Sequence, residues 1–157
     1  MSMKKNDIKT KLIIAYGNPY RSDDSVGHYV ANEIQNWADK EKIDLITIIT
    51  AYQLDLDMTE DISRAESVFF LDAHVEEYSP EIVIDKIEAK KTNGFTTHVF
   101  TPADLMALVN QLYNKNPPAT LISVPGHNFD MGEKLSPKTK EKADRATDKL
   151  KHFLTSA

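Results

Sequence analysis

The chain has 157 residues, with 24 acidic against 19 basic side chains, a net charge of -5 and no cysteine. A chain of this length makes one domain that buries roughly two-thirds of its unfolded surface. Without cysteine there is no disulfide, thiolate metal site or cysteine nucleophile, so any metal must be held by carboxylate, imidazole, carbonyl or water. The acidic balance provides no basic face for phosphates, which argues against nucleic acid as a partner. No segment has the length and apolarity of a signal peptide or membrane span, so the expectation is no membrane and a cytoplasmic, soluble protein.

Residues 1–10, lysine-rich and polar, read as a flexible N-terminal leader, and residues 11–157 as a single α/β domain. Residues 11–16 form an apolar run without alternation, the pattern of a strand covered on both faces. Gly17, Asn18 and Pro19 end it, and Val26, Tyr29, Val30, Ile34 and Trp37 then recur at helical spacing, which predicts a helix from about Asp24 to Lys40. The β-branched stretch 43–50 predicts a second strand, 53–65 a short helix, and Ser67 to Leu71 a third strand ending at Asp72.

Strands that alternate with helices imply right-handed parallel crossovers, so Tyr16, Thr50 and Asp72 should end at one edge of the sheet. The alternation of residues 81–87 suits a half-exposed edge strand, and an antiparallel pairing is open to it. Thr101-Pro102 reads as an N-cap and first position of a helix running to about Asn114. A last strand at 119–124, a loop at 125–135 and a terminal helix from Ser136-Pro137 complete a three-layer α/β/α arrangement around a twisted, mostly parallel five-stranded sheet.

Asp24 and Asp72 are the candidates for chemistry. Each has a plain structural reading, Asp24 as a helix cap and Asp72 as a turn residue. Together they place two carboxylates at the carboxyl edge of the sheet, where open α/β folds bind ligands and where paired acids suit a hard metal or acid–base work. His98 lies in an irregular loop before a helix that returns toward the same edge. An O, O, N set from three segments suits a divalent first-row metal with open coordination positions. Among the other histidines, His74 reads as a surface turn residue able to line the same cleft, His28 as structural, His127 as a reserve ligand and His152 as exposed. There is no G-x-S-x-G elbow, no G-x-G-x-x-G and no P-loop.

Gly17-Asn18-Pro19 with Asp23-Asp24-Ser25-Val26-Gly27, the run Phe69-Phe70-Leu71-Asp72-Ala73, Thr97-His98 before a helix, and Gly132 with Leu135-Ser136-Pro137 together resemble the hydrogenase maturation protease family. These endopeptidases trim the C-terminus of the nickel-iron hydrogenase large subunit. The resemblance implies that Asp24, Asp72 and His98 contact a nickel ion supplied by the substrate rather than kept by the enzyme. It also implies that Asp24 or Asp72 takes part in catalysis, and that the partner is a large-subunit precursor or a related metalloprotein. Asn18, Asp23 and His74 are expected to meet the substrate. Ser25 stands where the family usually has glycine, which predicts a changed or modestly strained backbone there. Two further readings are a non-catalytic, chaperone-like metal-binding module and a peptidyl-tRNA hydrolase, whose start also has a strand followed by Gly-Asn-Pro. The latter family carries histidine and asparagine where this chain has Asp24 and Ser25.

Overall fold

The computed structural model describes residues 9–89 and 100–156. Five strands, β1 (Lys11–Tyr16), β2 (Ile46–Ala51), β3 (Ser67–Val75), β4 (Val83–Lys86) and β5 (Ala119–Gly126), alternate with α1 (Val26–Glu41), α2 (Met58–Ser63), α3 (Pro102–Tyr113) and α4 (Pro137–Thr155). The sheet order is β2-β1-β3-β5-β4. All pairs are parallel except β4 with β5, so the alternating segment is the antiparallel edge strand.

The missing alternation in β1 is explained by burial on both faces. Ile13 and Ala15 join Phe69, Leu71, Ile122 and Val124 beneath α1 and α4, while Leu12 and Ile14 join Val68 and Phe70 beneath α2 and α3. Each fully buried Leu, Ile or Phe contributes roughly 1.5–3 kcal/mol by leaving water, so the central strands anchor both layers. At α3 the side chain of Thr101 accepts from the Asp104 amide, and the Asp104 carboxylate accepts from the Thr101 amide. This capping box starts the helix at Pro102.

Several boundaries differ from the sequence expectation. Ser22–Ser25 form a 3-10 turn, and α1 begins only at Val26. The second strand starts at Ile46 rather than 43, because Lys42 (φ 55°) and Leu45 (φ 63°) take left-handed conformations and the Ile43 amide still bonds back to the Ala38 carbonyl. The second helix shrinks to six residues, since Asp55 accepts from the Asp57 amide in a local turn. The third strand runs past Asp72 to Val75 because β5 pairs with it as far as Gly126. No described helix is long and apolar enough to cross a membrane.

The chain leaves β1 toward β2 on one side and then returns across it to β3. The carboxyl ends of β1 and β3 therefore flank the point where the strand order reverses, the crevice in which open α/β sheets bind ligands.

Candidate active site

Asp24 and Asp72 both lie at this crevice, near enough for the charge of one to act on the other. The loop after β1 is shaped by Gly17 at φ 143°, where a Cβ would lie 2.2 Å from the Asp24 carbonyl oxygen. That approach lets the Asn18 amide donate to Asp24 Oδ2 at 2.7 Å, while His28 Nε2 donates to the Gly17 carbonyl at 2.8 Å. His28 thus has the structural role read from the sequence. Asp24 does not cap α1: Ser25 occupies the N-cap position, and no side chain caps that end. Ser25 itself sits at φ -85°, ordinary for a residue with a side chain, so replacing the family's glycine brings no left-handed strain. Gly27 does matter, because a Cβ there would fall 2.8 Å from the Leu71 carbonyl oxygen. Its absence allows α1 to settle on β3 one residue before Asp72.

Asp72 accepts from the Ala73 amide at 2.7 Å. Its carboxyl is pushed up to about 6, chiefly by burial and further by the nearby negative charge of Asp24, against the opposing hydrogen bonds from the Ala73 amide and the Tyr16 hydroxyl. Tyr16 in turn is driven well above the usual phenol range by burial and by the Asp72 carboxylate beside it. The sequence reading missed Tyr16. Its signal was its place as the last residue of an apolar strand, immediately before the Gly-Asn turn.

Asp23, the neighbour of Asp24, has a different task. It is fully buried and accepts from the amides of His127 (2.7 Å), Asn128 (2.9 Å) and Ser136 (2.7 Å), and from the hydroxyls of Ser136 (2.7 Å) and Thr139 (2.9 Å). Burial alone would raise its pKa, but the bonds from Ser136, His127 and Asn128 outweigh it and hold the carboxyl below the usual range. Its oxygens are thereby engaged by the protein itself. It fastens the β5–α4 loop to the loop after β1.

His74 is not a turn residue but part of β3, paired with Pro125 of β5. Its Nε2 donates to the Ser79 carbonyl at 3.0 Å, and Nδ1 lies 2.8 Å from the hydroxyl of the buried Ser123. With both ring nitrogens engaged, His74 braces the turn that follows β3. Asn18, by contrast, stays partly open to solvent beside Asp24. His127, the reserve ligand, directs Nδ1 to Thr139 Oγ1 of α4 at 2.8 Å and Nε2 toward Glu76 at 3.6 Å. His98 lies outside the described residues. Among the described residues no three His, Asp or Glu side chains form a group able to hold a metal ion.

No protein-family model matches the chain, and no curated protein matches it. Solved structures do. The hydrogenase maturating endopeptidase HybD from E. coli superposes with a TM-score of 0.71 at 15% identity over 92% of this chain and 91% of its own. The NiFe hydrogenase maturation protease HycI from Thermococcus kodakarensis KOD1 gives 0.70 at 20% identity, over 96% and 98%. HybD from Thermococcus kodakarensis gives 0.70 at 16%, over 93% and 99%. At such identities the likeness is one of architecture: over nearly its whole length the chain has the fold of the hydrogenase maturation proteases.

Proposed function

We propose that the protein is an endopeptidase that removes a C-terminal peptide from a nickel-loaded hydrogenase large-subunit precursor or a related metalloprotein. The observation that carries this reading is the pair Asp24 and Asp72, held on adjacent loop and strand at the crevice of a fold shared with the maturation proteases. Both carboxylates are fixed by backbone amides that occupy one oxygen of each, Oδ2 of Asp24 and Oδ1 of Asp72. Oxygen donors of this kind suit a divalent ion carried in by the substrate, and His98 would add the imidazole. Anchoring the substrate's metal aligns the precursor tail, and one of the carboxylates serves as the base that takes a proton from the attacking water. The nickel is thus substrate, not a resident cofactor.

Incubating the protein with nickel-loaded precursor and measuring the precursor's mass tests this. Loss of a defined C-terminal peptide, abolished by Asp24→Asn and by His98→Ala, supports the reading. An intact precursor that still binds the protein would instead identify a non-catalytic metal-binding relative.

A further inference from the structure

Three large apolar side chains stand exposed on the loops at the carboxyl edge of the sheet: Tyr20 after β1, Tyr52 after β2 and Met131 after β5, at 52%, 59% and 78% exposure. They belong to one surface. The Tyr20 amide and the Tyr52 hydroxyl both donate to Asn18 Oδ1, at 2.8 and 2.9 Å, and the amide of Gly132, next to Met131, donates to the Tyr20 carbonyl at 2.8 Å. Three exposed apolar side chains on loops tied to one another mark a contact surface more than chance exposure does.

The hydrogen bonds at Asn18 also fix its chemistry. A backbone amide can only donate, so the carboxamide oxygen must be the atom facing Tyr20, and Nδ2 is left with both its protons. Among the described residues Nδ2 has no hydrogen-bond partner. An oriented pair of donors beside an apolar strip matches the backbone carbonyl of an extended peptide.

Charge narrows the choice of peptide. The loops that carry the strip hold Asp24, Asp55, Asp57, Asp130 and Glu133 against Arg21 and Lys134, and Arg21 is held at the surface by its Nε donating to the Phe129 carbonyl at 3.1 Å. The excess is negative, and exposed tyrosine faces add affinity for a cation.

We propose that an extended peptide bearing a Lys or Arg side chain docks along Tyr20, Tyr52 and Met131, with the Asn18 carboxamide gripping one of its backbone carbonyls. This deepens the peptidase reading, on which it rests for the peptide's identity as a segment of the substrate.

Fluorescence anisotropy with two labelled pentapeptides, Gly-Leu-Lys-Leu-Gly and Gly-Leu-Glu-Leu-Gly, tests the strip without nickel or cleavage. The lysine peptide should bind about tenfold or more tightly than the glutamate peptide and weaken as salt rises. Met131→Ser, at a position too exposed to disturb folding, should weaken it severalfold. Asn18→Asp keeps the oxygen that Tyr20 and Tyr52 use, removes the donors and adds a negative charge. Weaker binding by this variant, with its melting temperature unchanged, fits the carbonyl grip; tighter binding means electrostatics alone and overturns it.

Equal affinity for both peptides, binding of neither, indifference to Met131→Ser, or pairing of two copies of the protein through this face in light scattering would each overturn the proposal. Peptide selectivity without precursor cleavage would remove the peptidase reading and leave the strip. Cleavage without peptide selectivity would remove the strip alone.

Discussion

Replacing Asp72 by Asn should make the protein more stable at neutral pH while removing its proposed activity. Burial pushes the native carboxyl up to about 6, against 3.8 for an aspartate free in the unfolded chain. Between those values the native state holds a proton that the unfolded state has lost, so stability falls as pH rises through this window. The displacement of about 2 pH units corresponds to a ceiling of about 3 kcal/mol, which solvent access to the crevice reduces toward about 1 kcal/mol. Asparagine keeps an acceptor for the Ala73 amide but never ionises. The difference in unfolding free energy between Asp72→Asn and the parent should therefore be small at pH 4 and grow to about 1–3 kcal/mol in favour of the variant at pH 8. For a chain of this size that is a rise in melting temperature of about 2–10 °C. Urea titrations of both proteins at several pH values measure it. A difference that does not grow with pH, or that favours the parent at pH 8, would refute the account of Asp72.

Asp23→Ala leaves the part-buried amides of His127, Asn128 and Ser136 without their acceptor and should destabilise by about 2–4 kcal/mol in chemical denaturation, more than any effect on metal contact. Because the Asp23 carboxyl is held low in the native state, its contribution is present above the unfolded pKa near 4 and disappears as pH falls through the lower native value; the acid limb of the stability curve should flatten in Asp23→Asn. Gly27→Ala pushes a methyl group to 2.8 Å from the Leu71 carbonyl oxygen and should cost about 1–3 kcal/mol, with Asp72 displaced in a crystal structure of the variant. Thr101→Ala removes half of a capping box and should lower stability by about 1 kcal/mol with no effect on peptide binding at the crevice.

Much of the fold could be read from local pattern. β1 and the start of α3 stand where the sequence placed them, because a two-sided buried run and a Thr-Pro start are decided by neighbours in sequence. The common edge of Tyr16, Thr50 and Asp72 followed from alternation of elements alone, and the pairing of β1 with β3 completed it. Less legible was whatever depends on distant partners. Asp23 and Asp24 look alike as neighbouring acids before a helix, yet one is tied to residues more than 100 positions away and the other to Asn18. His74 looked like a turn residue because nothing near it in sequence shows that Pro125 pairs with it and that Ser123 meets its ring. Tyr16 was hidden for the opposite reason: as the end of an apolar run it reads as core, and only the geometry puts its hydroxyl beside Asp72.

The most direct test of the account compares one precursor in two states, nickel-loaded and nickel-free, incubated with the protein and with its Asp24→Asn and Asp72→Asn variants, with intact mass as the readout. The account predicts loss of a C-terminal peptide from the nickel-loaded precursor only, and only with both carboxylates present. Equal cleavage of the nickel-free precursor, or undiminished cleavage by either variant, would contradict it.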